Sequence, residues 1–224
     1  MKKAVVSQSL GENWNKIRDL TRPRMESYCK RHGQDFISIE KPLTEPVQYT
    51  KLVIANLMAT RKYEVITFLD CDVLVAEDCD DLTLQGDDEC DFLAFNEGEY
   101  LDRKKGMAEL AKAFGATIEP KFYFNTGVFV ANNKIAGAFS QPPMGLFPNH
   151  FAEQTWLNVM LQLWGIRTAS LDPVYNCMTS VESHFGLDRY KDAMIIHYAG
   201  QSADLDKLAK TIEEDDAKWK EMGR

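Results

Sequence analysis

The sequence predicts an α/β fold with a largely parallel central sheet, and two observations support this prediction. Short apolar runs alternate with longer segments of helical periodicity along the chain. The 224 residues are enough for one domain with a substantial core, and a composition of 45% hydrophobic and 27% charged residues is ordinary for a globular protein. The longest apolar runs are far shorter than the ~20 residues that span a bilayer. We therefore expect one globular domain without a membrane span.

The first strand–helix unit is well delimited by its pattern. Residues 4–6 form a short apolar run that predicts a strand, and residues 14–20 and 25–32 show helical spacing of apolar side chains. Pro23 lies between these two helical segments and is expected to break or restart the helix. Gly33 is expected to end it, because glycine readily takes the left-handed conformation found after helix C-termini.

The remaining elements alternate in the same way. Apolar runs and period-two patterns predict strands at 35–39, 65–70, 91–95, 122–131, 166–169 and 194–197. Helical spacing predicts helices at 51–62, 107–114, 153–164 and 205–222. No internal repeat or long linker interrupts this alternation.

Charge and cysteine content narrow the function classes. The formal net charge of -8 argues against general binding to nucleic acid, which depends on a cationic surface. A nucleotide site stays open, because a bound metal ion can supply local positive charge. The five cysteines include no Cys-x-x-Cys pair, and an odd number without metal spacing predicts reduced thiols in a cytoplasmic protein.

The most informative stretch is 65–75, where Asp70 and Asp72 interrupt an otherwise apolar run. Burying carboxylates without partners is costly. Residues i and i+2 of a strand share a face, so both carboxylates can point into one site beyond the end of the strand, where open α/β sheets bind ligands. A hard divalent ion such as Mg²⁺ or Mn²⁺ takes such oxygen ligands. The alternative is that one aspartate caps a turn and the other forms a salt bridge.

Two later segments also carry candidate residues. Asn125 and Gly127 interrupt an apolar strand, and a glycine there marks a bulge or a close backbone approach. The alternative is a strained turn in which the asparagine bonds its own backbone. His197 ends a late apolar strand, where a neutral imidazole can ligate a metal ion but an isolated histidine is more often a core residue.

One enzyme class with a similar signature is the haloacid-dehalogenase-type phosphatases. In them an apolar strand also precedes Asp-x-Asp, and the first aspartate, here Asp70, would be the nucleophile. Residues 86–91 resemble their second acidic motif. However, the interval after Asp72 is too short for the motifs that should intervene, and earlier strand–helix units precede Asp70.

The second class fits the order of motifs along most of the chain. Four segments resemble the motifs of the retaining, glycogenin-like glycosyltransferases of family 8, which have the GT-A fold. Their family patterns are the DxD strand, FNSGVMV, DQxxLN and IIHFxG. The matching segments are FLDCDVLV at 68–75, FNTGVFV at 124–130, EQTWLN at 153–158 and IIHYAG at 195–200.

The resemblance implies an activity and a metal site. A hexose would move from a nucleotide diphosphate sugar, expected to be UDP-linked, to a carbohydrate or other hydroxyl acceptor with retention of anomeric configuration. Mn²⁺, or Mg²⁺, would sit on the diphosphate. Its ligands in this sequence would be Asp70, Asp72 and His197.

The resemblance also implies which residues surround the donor sugar. Asn125 and Gly127 would line the pocket for the donor sugar and acceptor. Gln154 would contact the donor near the anomeric carbon, although with Glu153 it could instead serve the start of a helix.

The same resemblance implies which residues contact the nucleotide. Ser7 and Ser9 lie in the loop that holds the base in this fold, and Gly200 belongs to the last motif of the site. Lys51 matches a lysine or arginine that contacts the nucleotide or sugar. A lysine that opens a helix is unfavourable by the helix dipole, so an anionic neighbour would explain it. A plain exposed lysine is the alternative.

The resemblance implies a single GT-A-like domain over residues 1–224, with a mixed central sheet flanked by helices. Residues 1–75 would form the nucleotide-binding half and residues 76–200 the donor and acceptor half. Residues 201–224 would form a terminal helix.

One departure from the family pattern concerns the tail. The family reads His-x-x-Gly-x-x-Lys-Pro-Trp, with the lysine on the diphosphate, but Ala203 stands at the lysine position. Lys207 or Lys210 could substitute for it; otherwise the leaving group depends more on the metal ion. A non-catalytic sugar-nucleotide-binding protein therefore remains an alternative, beside the phosphatase.

Overall fold

The computed structural model describes residues 2–45, 47–87, 89–143 and 152–224 as an α/β protein. Its strands are β1 (Lys3–Gln8), β2 (Asp35–Ile39), β3 (Val65–Asp70), β4 (Val73–Val75), β5 (Phe92–Asn96), β6 (Phe124–Asn132), β7 (Thr168–Ser170) and β8 (Ile195–His197). Its helices are α1 (Glu12–His32), α2 (Ile54–Ala59), α3 (Lys104–Ala113), α4 (Ala152–Leu163), α5 (Thr179–Phe185) and α6 (Leu205–Glu221). None of the helices in these ranges is long and apolar enough to cross a membrane.

The central sheet is parallel except for one strand. Its order is β2-β1-β3-β6-β5-β7, and only β6 runs antiparallel to its neighbours. A second, two-stranded sheet pairs β4 with β8, with Val73 opposite His197. Because β6 runs in the reverse direction, its first residues arrive at the edge where β1, β3 and β5 end.

The sheet is buried on both faces, as the near-continuous apolar strands predict. In β1, Val5 belongs to one apolar cluster, while Ala4 and Val6 belong to the other. The first cluster includes residues of α1 and α6, and the second includes residues of α2, α3 and α4. The predicted α/β class with helices on both faces is therefore confirmed.

The prediction that Pro23 breaks the first helix was wrong. Helix α1 is continuous through Pro23. Proline removes one hydrogen bond and crowds the preceding turn, but Ile17 and Met25 on either side are fully buried. Thr21 also donates to the carbonyl of Cys71 at 2.7 Å. Burial along this face of the helix outweighs the local loss.

Two other segments differ from their patterns. The predicted helix at 51–62 is a 3₁₀ helix, Val47–Val53, continued by the short α2, and the chain turns at Arg61 with a φ of 54°. The apolar run after Asp70 is divided into β3 and β4 by a turn. Helix α5 was not anticipated, while the other predicted elements agree with the structure within a few residues.

Gly33 closes α1 in the left-handed conformation, with φ 63° and ψ 37°. We expect Gly33→Ala to lower the free energy of unfolding by about 1–2 kcal/mol, because a Cβ disfavours this conformation. Gly106, inside α3, is the matched control, since open space surrounds its Cβ position and its φ is not positive. Gly106→Ala is expected to raise stability by about 0.5–1 kcal/mol. Urea unfolding of the two variants measures both changes, and equal effects would contradict a conformational role for Gly33.

Candidate functional site

The candidate site lies at the edge of the sheet where β1, β3 and β5 end. Asp70 is the last residue of β3, and Asp72 lies in the turn that leads to β4. The pairing of β4 with β8 brings His197 to this turn, and the backbone N–H of Tyr198 donates to the carbonyl of Asp72 at 3.0 Å. The two aspartates and the distant histidine therefore meet.

These three side chains have the geometry of a metal-ligand set. One ligand atom from each of Asp70, Asp72 and His197 lies within 4.8 Å of the others. His197 is buried, and its Nε2 is 3.8 Å from Asp72 Oδ1. Burial, together with the nearby Asp70 carboxylate, raises the pKa of Asp72. Two carboxylates and one imidazole suit a divalent cation such as Mn²⁺.

Gly127 leaves the space that this set needs. A Cβ added there would lie 2.2 Å from Cε1 of His197 and 2.9 Å from Oδ2 of Asp70. Neither atom could stay in place. The glycine predicted to mark a close backbone approach does so against two of the three candidate ligands.

Lys51 is buried beside Asp70 and bound by several acceptors. Its Nζ lies 3.1 Å from Asp70 Oδ1 and 3.4 Å from Glu153 Oε1, and it donates to the carbonyl of Thr126 at 3.1 Å. Burial opposes its charge, but the two carboxylates outweigh burial, so the pKa of Lys51 is raised above its ordinary value. The expected anionic neighbours are present, but the predicted reason was wrong, because Lys51 lies in the last turn of the 3₁₀ helix Val47–Val53 and not at a helix start. The exposed-lysine alternative was also wrong, since Lys51 is buried.

The start of β6 is irregular and is held by side chains. The ladder between β3 and β6 ends at the pair Leu69–Val128, so the preceding N–H groups need other acceptors. The N–H of Gly127 donates to Asn125 Oδ1 at 3.0 Å, and that of Thr126 donates to Gln154 Oε1 at 3.1 Å. Both predicted site amides therefore lie at this edge and support the segment that borders the candidate ligands.

Sequence reasoning missed two buried residues near these amides. Glu97 follows β5, and burial raises the pKa of its carboxyl against the hydrogen bonds from Asn125 and Gln154. Its place after a strand that ends at the site edge was a usable signal. Asn176 is fully buried and lies 2.7 Å from His197 Nδ1 through its Oδ1. No pattern marked Asn176, because its partners come from distant segments.

A cavity of about 330 Å³ opens beside the aspartates. Its wall carries acidic, cationic and aromatic side chains. The lining residues are Gln8, Leu10, Trp14, Val47, Lys51, Asp70, Cys71, Asp72 and Glu153. Among the described residues, Lys51 is the only cationic side chain that lines this cavity.

The other predicted nucleotide contacts lie nearby, and their roles stay predictions. Ser7 is buried in β1, and Ser9 donates to Asn15 Oδ1 at 2.9 Å, whereas Gln8 and Leu10 line the cavity. Gly200 follows β8 with a φ of 78°.

The two lysines considered as substitutes in the tail lie on α6. The side chains of Lys207 and Lys210 are exposed there, and Lys210 pairs with Glu214 at 3.7 Å. A diphosphate contact by either stays a prediction.

Comparison with known proteins gives a family and a fold. The family model for glycosyl transferase family 8 matches residues 10–202. The chain is similar to a glycosyltransferase involved in glycosylation of the major capsid of PBCV-1, with a TM-score of 0.62, 18% identity and coverage of 94% of this chain and 99% of that chain. It is also similar to the galactosyltransferase LgtC in complex with donor and acceptor sugar analogues, with a TM-score of 0.57, 15% identity and coverage of 94% and 95%. A search of curated protein sequences finds no significant match. At these identities the structural likeness shows the fold alone, and it confirms the predicted GT-A architecture.

Lys51 is expected to stabilise the folded protein. We expect Lys51→Met to lower the free energy of unfolding at pH 7 by about 2–3 kcal/mol, because Asp70 and Glu153 would lose their shared cation. The figure lies below the ~3–5 kcal/mol typical of a fully buried pair, since both carboxylates reach the cavity. Urea unfolding measures the change.

The pH dependence of this loss has a definite sign. The contribution of Lys51 is fully present below the ordinary lysine pKa of ~10.4 and is lost as the pH rises through the raised pKa of the folded state. The difference between wild type and Lys51→Met should therefore shrink in strongly alkaline solution. Lys105, whose side chain is 80% exposed, is the control: Lys105→Met should change stability by less than about 0.5 kcal/mol. Similar losses in both variants would refute a buried ionic role.

Proposed function

Because this chain belongs to glycosyl transferase family 8 and is a glycosyltransferase of the GT-A fold, we propose that it transfers a hexose from a UDP-linked sugar to a hydroxyl of a carbohydrate acceptor, with a divalent metal ion and with retention of configuration. Nucleotide-sugar transfer in general follows from the family. The observation that carries the finer proposal is the convergence of Asp70, Asp72 and His197 beside a cavity.

The candidate ligands fit a divalent ion in composition and in space. Carboxylate oxygens with one imidazole nitrogen suit Mn²⁺, and Mg²⁺ is the alternative. The room left by Gly127 next to His197 and Asp70 supports the assignment. When bound, such an ion would neutralise charge on the departing diphosphate. Asp70, Asp72 and His197 would hold it.

The cavity supports a nucleotide donor. Its volume of about 330 Å³ lies within the range of ~300–1,000 Å³ for small-molecule sites. Gln8 Oε1 is buried there with no hydrogen-bond partner among the described residues, and it is available to accept a base N–H. Trp14 adds an aromatic wall, and nearly all lining residues come from 1–75. This placement supports the proposal that residues 1–75 are the nucleotide-binding half.

The proposed transfer needs no side chain of this protein to act as a general base. The bond between the anomeric carbon and the diphosphate oxygen breaks, and the acceptor oxygen bonds to that carbon on the same face. The acceptor proton passes to the departing phosphate oxygen. The amides of Asn125 and Gln154 are not bases, so we assign them to positioning the donor sugar. Lys51 would place positive charge near the leaving group and take much of the role that the tail lysine has in the family.

The two alternatives are not favoured by the family match or the fold. A phosphatase of the haloacid-dehalogenase type would form an aspartyl-phosphate at Asp70, and nothing in the GT-A architecture supports that role. A non-catalytic sugar-nucleotide binder would bind UDP with metal but show no transfer. The five free cysteines are compatible with a reducing compartment, and we propose the cytoplasm.

Thermal unfolding with UDP, GDP and ADP, each with and without Mn²⁺, tests the donor and metal assignments. We expect UDP with Mn²⁺ to raise the melting temperature by about 5–10 °C, because ligand at 100 times its dissociation constant adds ~2.7 kcal/mol. UDP without metal should shift it far less. Asp72→Asn should abolish the combined effect, whereas the exposed Asp206→Asn on α6 should keep it. No response to any nucleotide under any metal condition would overturn the proposal.

Gly127→Ala should weaken metal binding. The added Cβ would displace His197 or Asp70, and we expect the affinity for Mn²⁺, measured by titration calorimetry, to fall by at least about tenfold. Gly106→Ala, which adds the same methyl group at an exposed position of α3 with open space around it, should leave the affinity unchanged. Unaltered Mn²⁺ binding in Gly127→Ala would place the ion elsewhere.

A further inference from the structure

Glu97 is a buried carboxylate that the proposed reaction does not yet use. It is 4% exposed and lies in a 3₁₀ turn, Glu97–Glu99, directly after β5. Its oxygens accept from two different amides: Asn125 Nδ2 at 3.1 Å and Gln154 Nε2 at 3.1 Å. Arg103 lies near it, with Nε 3.7 Å from Glu97 Oε1. An ionised carboxylate accepts at both oxygens, whereas a protonated one donates from one of them.

Each of these amides is fixed at its other end by the backbone. Asn125 Oδ1 accepts from the N–H of Gly127 at 3.0 Å, and Gln154 Oε1 accepts from the N–H of Thr126 at 3.1 Å. A backbone N–H can only donate, so reversing either amide would place two donors face to face. The amino groups of both side chains must therefore point to Glu97.

The same reasoning extends to His197. Asn125 Oδ1 also accepts from Asn176 Nδ2 at 3.1 Å, so the Oδ1 of Asn176 is directed to His197. This oxygen lies 2.7 Å from His197 Nδ1, which must therefore carry the ring proton. In the neutral ring the lone pair is then on Nε2, the nitrogen that faces Asp72 at 3.8 Å. This is the tautomer that can bind a cation between them.

We propose that Glu97 is a positioning residue that acts in two directions. Through Asn125 and Asn176 it holds His197 in its metal-binding tautomer, and through Gln154 it holds the start of β6 against the donor. The proposal rests on the proposed function, since the tautomer matters only where His197 is a ligand. One buried anion thus orients a candidate metal ligand and a candidate donor contact together.

The hydrogen-bond pattern predicts which substitutions break it and which restore it. Glu97→Gln offers one acceptor and one donor, so it can satisfy Asn125 or Gln154 but not both. Asn125→Asp keeps the bonds to Gly127 and Asn176 but turns a second carboxylate towards Glu97. In the double variant Glu97→Gln/Asn125→Asp, the new amide donates to the new carboxylate and accepts from Gln154. Each of the bonds named above has a counterpart there, with the negative charge moved from position 97 to position 125.

The tautomer can be read without metal, nucleotide or turnover. Long-range ¹H–¹⁵N spectra of histidine-labelled protein, at a pH well above the ordinary histidine pKa of ~6.5, distinguish the two ring nitrogens. His197 of the wild type should have a protonated Nδ1. Glu97→Gln should give a mixture of tautomers and an affinity for Mn²⁺ at least about tenfold lower, a loss typical of removing a group that orients a metal ligand. Asn125→Asp still offers an acceptor to Asn176, so it should keep the Nδ1–H tautomer. The double variant should recover the Nδ1–H tautomer and most of the affinity.

Glu99 supplies a matched control in the same turn. It is exposed and accepts a hydrogen bond from Asn96 Nδ2 at 3.0 Å, which a glutamine can also accept. Glu99→Gln should therefore resemble the wild type in both measurements. A Glu97→Gln variant that also resembles the wild type, or a double variant no better than Glu97→Gln, would overturn the proposal. If Glu97→Gln does not fold, the double variant decides: recovery of a folded protein with the Nδ1–H tautomer supports the proposal, and failure to fold contradicts it.

The outcomes also separate this proposal from the proposed function. If the wild type binds no Mn²⁺ but the variants show the predicted tautomer changes, the metal assignment is contradicted and the orienting role of Glu97 is kept. If the wild type binds UDP and Mn²⁺ but Glu97→Gln has the same His197 tautomer as the wild type, only the role of Glu97 is contradicted.

Discussion

The site depends on how the fold offsets the cost of burying several carboxylates at one edge of the sheet. Asp70, Asp72, Glu97 and Glu153 all lie there, and unpaired burial of any of them would be costly. Lys51 lies between Asp70 and Glu153, and two amides meet Glu97. Asp72 faces the His197 ring and the cavity. Asp72 therefore has the fewest partners within the chain, and it is one of the residues that would bind a divalent cation.

The antiparallel strand β6 makes this compensation possible. Since its neighbours β3 and β5 run the other way, β6 begins where they end. Its first residues leave the ladder with β3, and their N–H groups are satisfied by Asn125 and Gln154 instead. The absence of a side chain at Gly127 then lets the backbone approach His197 and Asp70. An irregular strand end, held by amides, thus forms one wall of the site.

Periodicity predicted most elements, because it depends on local sequence. The order of motifs named Asp70, Asp72 and His197 as candidate metal ligands, and the structure brings these three side chains together. The Asp-x-Asp motif needed only a strand to place its carboxylates together, and the glycine within an apolar strand correctly indicated a close approach. Pro23 was misread because burial of Ile17 and Met25 outweighs a local preference. Lys51 could be assigned an anionic neighbour, but not Glu153, which follows it by 102 residues. Asn176 could not be predicted for the same reason, because its hydrogen bonds join separate segments of the chain.

The sequence by itself therefore determined the fold class, the strand that carries Asp70 and the types of residue available to bind a cation and a sugar nucleotide. Only the tertiary structure decided how these residues are oriented. The pairing of Val73 with His197 brings the imidazole to the aspartates, and the bonds from Glu97 through Asn125 and Asn176 determine which ring nitrogen is free. Hydrogen-bond direction depends on the relative positions of donors and acceptors from distant segments, and a local pattern contains no record of those positions.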